Sequence, residues 1–347
     1  MCNICVFIVK LNTDTRIRLP ENMQNFYGSD ISDIEVELTE GIGKTMVIDR
    51  LSRDLSILKL LSTFVTYVKI GWGLSFLTDT NSLSNRISQI KSYGIGVSNG
   101  GTFLETCFVK GKLEKGLKLL KSAGFNYIEI SEGVCNIPKK ERKIAAEFAS
   151  SNDLILIMEV GKKRKAEQLT LNETIDKIGE ALEFNPEMII IEGRETGKGV
   201  EIYDELGNIK WEWADSIVEY TGHEKVMIEA PMEKQQVELI LRYGKKINLG
   251  NISMDSIASL ASQRLSLRGD TFSMDRHLEL FEGSPATKFV LHIIKNSVKI
   301  DQGSLINATG LSRRTVQKAL MELLHANLIQ ENTDIRDLRR KIYSFVR

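Results

Sequence analysis

Residues Leu154–Lys163 read LILIMEVGKK. Five apolar residues run without a break, as in a strand buried on both faces. Then Glu159, Lys162 and Lys163 arrive around Gly161, although charged groups are costly to bury unpaired. Either an ion pair ties off the strand, or chemistry happens at its end. The same pattern recurs along the chain, in TMVIDR (45–50), YVKIGWG (67–73), IGVSNGG (95–101), YIEISEG (127–133), MIIIEGRE (188–195), KVMIEAP (225–231) and KINLGNI (246–252). Amphipathic helical segments lie between these runs. One is GKLEKGLKLLKSAG, with Leu113, Leu117 and Leu120 at helical spacing and Gly124 placed as a C-cap. Eight strand–helix units point to a closed parallel (β/α)8 barrel of the TIM type. The rival doubly wound sheet normally carries a glycine-rich phosphate loop after its first strand. IDRLSRD is no such loop, and GIGKT (41–45) precedes the strand instead of following it.

Composition bounds the rest. The 347 residues are 42% hydrophobic and 27% charged, an ordinary globular mixture with room for one large domain and a small one. A formal net charge of zero hides an asymmetry. Residues 283–347 carry 11 basic and 5 acidic groups, while residues 1–282 carry 35 and 41. No apolar run approaches the roughly 18 residues of a membrane span, and MCNICVFIVKLN is too short and too weakly basic for a secretory signal. Four scattered cysteines suit a reducing cytoplasm and not a disulfide framework. Cys2 and Cys5 form a lone C-x-x-C with no second half, and Cys135 reads as structural.

Each strand carries a polar residue late in its apolar run: Asp49, Lys69, Ser98, Glu129, Glu159, Glu192, Glu229 and Asn248. One such residue per strand at matched depth can form a ring in the barrel mouth, at the strand C-termini where this fold runs its reactions. Glu132, Lys162, Arg194, Glu195, Asn251, Arg268 and Asp270 form a second tier. A purely structural ionic network is the alternative, but buried ion pairs are poor stabilisers. Excess carboxylate around one lysine suits a hard divalent cation such as Mg²⁺ instead, with Lys69, Lys162, Arg194 and Arg268 meeting an anionic substrate. None of His223, His277, His292 and His325 ends a strand, which argues against histidine acid–base work and histidine-ligated zinc.

KIGWGLS (69–75), GGTFLE (100–105), YIEISEG, EVGKK (159–163), IEGRETG (191–197), EAPMEKQQ (229–236), INLGNI (247–252) and LRGDTF (267–272), in this order, resemble the phosphosulfolactate synthase family. The resemblance covers roughly residues 41–272 and implies a (β/α)8 barrel, assembled as a homo-oligomer with a trimer among the options. It also implies Mg²⁺-dependent addition of sulfite to phosphoenolpyruvate, giving 2-phospho-3-sulfolactate for coenzyme M biosynthesis. On that basis Glu129, Glu159 and Glu192 are expected to ligate the metal, and Asn251, Gly250 and Arg268 to bind the phosphate. Lys69 and Arg194 are expected at the substrate carboxylate or sulfite, Glu229 at the catalytic centre, and Lys162 as the donor of a proton to C2. The chain departs from the family pattern at Leu74, Glu132 and Ser266.

Beyond the barrel (41–275), and apart from an N-terminal extension (1–40), residues 283–347 change character. SPATKFVLHIIKNS (284–297), DQGSLINATG (301–310) and LSRRTVQKALMELLHANLI (311–329) read as helices, the last with Ser312 as N-cap. LIQENTDIRDLRRKIYSFV (328–346) reads as two strands around a charged loop. This is the winged helix-turn-helix pattern, and its residues resemble those of small archaeal and bacterial regulators. Arg313, Arg314, Thr315, Gln317 and Lys318 would face the DNA major groove, and Arg336, Arg339, Arg340 and Lys341 the phosphates. Oligomerisation or protein contact through the same module stays open. So does a second class of function, in which a ligand-sensing barrel fused to a DNA-binding tail acts as a transcription regulator.

Overall fold

The computed structural model describes residues 16–17, 36–37, 42–271, 283–295, 297, 299–326, 328–334 and 337–345. Cys2, Cys5, His277, Phe272 and Arg336 lie outside the described residues. The chain forms two units, Met1–Ile42 and Gly43–Arg347. In the first, Arg16–Ile17 pairs antiparallel with Val36–Glu37.

In the second unit, eight parallel strands close into a barrel: β1 (Thr45–Asp49), β2 (Tyr67–Ile70), β3 (Gly96–Asn99), β4 (Tyr127–Ser131), β5 (Ile155–Val160), β6 (Met188–Ile191), β7 (Val226–Glu229) and β8 (Asn248–Ile252). Each follows its predecessor around the barrel and β8 closes on β1. Alternate side chains take opposite faces. Val47, Val68, Ile128, Met158, Ile189 and Ile228 point outward under the helices. Met46, Tyr67, Ile157, Met188, Ile190 and Met227 fill the lumen together with Tyr127, whose ring stacks on Tyr67 at 4.8 Å. Those large side chains plug the lower part of the lumen, which leaves the upper end for charged groups.

The surrounding helices are α1 (Ser56–Leu60), α2 (Thr80–Lys91), α3 (Gly101–Val109), α4 (Leu113–Ala123), α5 (Lys139–Ser151), α6 (Leu171–Leu182), α7 (Trp211–Thr221), α8 (Glu233–Tyr243) and α9 (Ile257–Arg264). Helix α4 shows why the pattern was legible. Leu113, Leu117, Leu120 and Ala123 all face the sheet, and Gly124 at φ 98° ends the helix in the left-handed conformation that a Cβ would disfavour. Fully burying Leu117 and Leu120 contributes about 1.5–3 kcal/mol each.

The C-terminal part comprises α10 (Pro285–Lys295), β9 (Ile300–Asp301), α11 (Gln302–Thr309), α12 (Arg313–His325), β10 (Ile329–Asp334) and β11 (Asp337–Phe345), the strands forming an antiparallel sheet in the order β9–β11–β10. Val290, Ile294, Leu305, Val316, Leu320 and Leu323 build its own core. Asp301 caps α11 by accepting from Gly303 and Ser304 N–H, and Ser312 caps α12 by accepting from Thr315 N–H. Lys299 reaches back to the barrel, with Nζ 3.0 Å from Asp215 on α7. Among the described residues no helix is long and apolar enough to cross a membrane.

Candidate active site

Five buried charged side chains meet at the upper end of the lumen: Lys69 from β2, Glu129 from β4, Glu159 from β5, Glu192 just after β6 and Glu229 from β7. Lys69 Nζ lies 2.9 Å from Glu129, 2.8 Å from Glu159 and 3.2 Å from Glu229. A sixth charged group closes the ring, and it is Lys163. Its Nζ sits 3.3 Å from both Glu159 Oε1 and Glu192 Oε2.

Lys162, the expected proton donor, points elsewhere. Its Nζ donates to Glu132 O and Asn136 Oδ1, outside the ring. Strand parity explains the exchange. Glu159 faces the lumen, so Gly161 and Lys163 carry that direction past the strand end while Lys162 turns away. Gly133 makes room, because a Cβ there would stand 2.9 Å from Lys163 Cε. Lys163 N–H also donates to Gly133 O at 2.9 Å. The period-two signal runs past the apolar residues to Gly161 and Lys163.

Parity removes one further residue expected in the ring, and height along the barrel removes another. Asp49 has the outward phase of β1 and forms a bidentate pair with Arg86 on α2. Asn248 faces inward but lies at the opposite end of the barrel, where Nδ2 donates to His223 O and Val226 O and Oδ1 accepts from Lys44 N–H. Gly250 serves packing, since a Cβ there would meet Met46 Cε at 2.8 Å. Arg268 is held by Glu233, Asp270 and Ser259 on the rim and is not brought to the ring. Asn251 is brought in, donating to Glu229 Oε2 at 3.2 Å and to Arg194 O at 3.0 Å. Glu132 turns outward to Arg142 and Lys177, and Leu74 packs on the outer core, so of the three departures from the family pattern these two stay out of the ring.

Backbone geometry tightens the mouth. Leu51, Trp72, Arg194 and Asn251, which follow β1, β2 and β6 or end β8, all have φ between 54° and 62°, a left-handed conformation that costs a side-chain-bearing residue free energy and clusters at functional sites. At Asn251 it coincides with a register shift in the β8–β1 pairing, which brings the side chain into the lumen against the simple alternation. Arg194 N–H donates to Glu192 Oε1 at 2.6 Å, while its guanidinium has no partner among the described residues. Trp72 Nε1 donates to Glu195 at 2.9 Å, and the Arg50 guanidinium lies 4.6 Å over the Trp72 ring. At Gly101, the first residue of α3, the backbone N–H reaches Glu129 Oε1 at 2.7 Å, an approach that a Cβ would oppose by standing 2.2 Å from Ser131 Oγ.

The electrostatics are uneven. Burial pushes Glu129 up, and although Lys69 opposes this its pKa reaches about 8. Burial also raises Glu192 well above the usual carboxylate range, reinforced by Glu159 and Glu229. Burial works the same way on Glu159, but Lys163 and Lys69 outweigh it and hold that carboxyl low. Burial disfavours the charge on both lysines, yet the glutamates overcome it and raise Lys69 and Lys163. Both ammonium groups therefore persist through the neutral range, facing one firm anion and two carboxyls that readily keep a proton.

Glu129 Oε2 and the hydroxyls of Ser98 and Ser131 are buried without a hydrogen-bond partner, and Glu159 Oε1 and Glu192 Oε2 have only the Lys163 ammonium at 3.3 Å. Such orphaned acceptors call for an occupant. Among the described residues, however, no three His, Cys, Asp or Glu side chains form a group that could hold a metal ion alone. Lys69 stands between Glu129 and Glu159, so the expected set of three glutamates does not converge. A single carboxylate remains compatible with Mg²⁺, which typically takes one or two and completes its shell with water and substrate oxygens.

In the C-terminal part, Arg313, Arg314, Gln317 and Lys318 are exposed on α12. Arg340 is paired with Asp301 and Lys341 with Glu331, and the side chain of Arg339 lies outside the described ones.

Residues 39–270 match the (2R)-phospho-3-sulfolactate synthase (ComA) family. Phosphosulfolactate synthase of Methanocaldococcus jannaschii is 39% identical over 217 residues, covering 62% of this chain and 86% of that protein. The Methanothermobacter thermautotrophicus enzyme is 31% identical over 236 residues, covering 66% and 91%. That of Bacillus subtilis is 33% identical over 215 residues, covering 61% and 83%. The matched region contains every strand of the barrel and all six charged members of the ring. The chain belongs to the (2R)-phospho-3-sulfolactate synthase family, whose members are lyase-type enzymes.

Proposed function

We propose that the barrel adds sulfite to phosphoenolpyruvate, giving 2-phospho-3-sulfolactate in the cytoplasm. The observation that carries this reading is the pair of ammonium groups, Lys69 and Lys163, seated among buried glutamates at the strand C-termini. The sulfur lone pair of sulfite attacks C3, and the C2–C3 π pair moves through C2 into the carboxylate as an enediolate. Lys69, with the free guanidinium of Arg194, accommodates the anionic carboxylate, and Asn251 orients it from β8. C2 then takes a proton from Lys163 Nζ. The raised pKa of Lys163 keeps the donor charged, and an enediolate carbon is basic enough to accept from it. Mg²⁺ taking a single ring carboxylate, with water and substrate oxygens completing its shell, would supply charge stabilisation at the developing enediolate. Purified protein given phosphoenolpyruvate, sulfite and Mg²⁺ is expected to form phosphosulfolactate. Folded protein that stays inactive under those conditions sinks the reading.

For the C-terminal part we propose a winged helix that binds duplex DNA, favoured by the exposed Arg313, Arg314, Gln317 and Lys318 on the capped helix α12. An oligomeric barrel would present several copies, each weak alone. Binding followed by fluorescence anisotropy is expected to weaken steeply with salt and to be lost in the Arg313→Ala/Arg314→Ala double variant. No binding at low salt removes this proposal and leaves a protein-contact role.

A further inference from the structure

Two buried glutamates outside the ring have no part in the chemistry above. Glu105, on α3, is 0% exposed. Its Oε1 accepts from the N–H of Val134 at 2.8 Å and of Cys135 at 3.3 Å. Glu201, in the loop between β6 and α7, is 2% exposed. Its Oε1 accepts from the N–H of Lys162 at 3.0 Å and of Leu169 at 3.3 Å. In both cases Oε2 is buried with no hydrogen-bond partner.

The seat of Lys163 runs between these two anchors. Lys163 N–H donates to Gly133 O, and its aliphatic stem crosses Gly133. Glu105 grips the loop leaving β4 at the residue after Gly133, and Glu201 grips the loop leaving β5 at the residue before Lys163. Buried backbone amides need partners, but a carboxyl group is an expensive way to supply one acceptor oxygen. Burial raises both groups, which suits a carboxyl that accepts through Oε1 alone. We propose that Glu105 and Glu201 are positioning residues that hold the Lys163 ammonium between Glu159 and Glu192 by fixing the two loops on either side of it. The inference rests on the role given to Lys163 above.

The test uses the full chain with Glu105→Gln, Glu105→Leu, Glu201→Gln and Glu201→Leu. Two quantities are read: kcat and KM for sulfite addition, and the rates at which acetic anhydride modifies Lys163 and Lys69, followed by mass spectrometry. Glutamine keeps the acceptor oxygen, so both Gln variants should stay within about threefold of wild type in kcat. Displacing a reacting group by a fraction of an ångström is costly, so both Leu variants should lose about tenfold or more in kcat at little-changed KM. Labelling of Lys163 should accelerate in them by a similar factor while Lys69 stays protected. Leu variants that fold and keep wild-type labelling of Lys163 overturn the proposal. So does equal acceleration at Lys69, which would mean general loosening. Where a Leu variant does not fold, the smaller Glu105→Ala or Glu201→Ala at the same position carries the same comparison. If wild-type protein forms no phosphosulfolactate, the proposed reaction fails while the labelling rates still decide this inference.

Discussion

The barrel and the C-terminal part solve opposite problems with their interiors. The barrel places six ionisable groups at its centre, five of them nearly inaccessible. The C-terminal part keeps an apolar interior of Val290, Ile294, Leu305, Val316 and Leu320 and leaves Arg313, Arg314 and Arg340 outside. Charge inside a fold costs free energy that only function or close pairing offsets, whereas charge outside it is nearly free. The contrast locates the chemistry of each part, within the barrel and on the surface of the C-terminal helix α12.

The sharpest way to break this contrast is to remove an ammonium from the ring. Lys163→Met is expected to lower kcat by about 10²–10⁴, the usual contribution of a general acid, while Lys162→Met stays within about threefold; steady-state kinetics on the pair decides between them. Equal losses would return Lys162 to the mouth. Next in size is the apolar interior of the C-terminal part. Leu320→Ala should destabilise that part by about 2–5 kcal/mol, read as an early unfolding step by calorimetry, with sulfite addition unchanged. A smaller effect tests how tightly the ring is built. Gly101→Ala inserts a methyl where Ser131 and Glu129 already stand and should cost about 1–3 kcal/mol of overpacking, with some loss of activity in the same assays.

The smallest effect lies where the two regions touch. Burial raises the Asp215 carboxyl, but Arg242 and Lys299 outweigh it and hold it low. A depressed carboxyl stabilises the fold above its unfolded pKa of about 3.9, and that contribution disappears as pH falls through the folded value. Lys299 is partly exposed, so Lys299→Ala should lose under about 1 kcal/mol near neutrality. The difference from wild type should vanish in acid titrations well below pH 4. A difference that persists there would assign the contact to packing.

Much of this was legible one segment at a time. The eight apolar runs, the α4 stripe ending at Gly124 and the Ser312 cap are local signals, and each appears where the sequence puts it. The glutamates of the ring announced themselves by recurring at the same place in successive strands. The failures came where a local rule needed a second coordinate. Asp49 and Asn248 fit the list of polar strand residues, yet one has the wrong phase and the other the wrong height in the barrel.

What the amino-acid sequence determined alone was therefore the set of elements and the chemical type of the mouth, because hydrophobic period and capping act over a few residues. Which lysine enters the mouth, which asparagine joins it and which arginine stays on the rim were decided by tertiary structure. Those choices depend on the left-handed turn at Asn251, the absent side chain at Gly133 and the partners waiting for Arg268 on α8 and α9. Each brings together residues far apart in the chain, and only the closed barrel sets the distances between them.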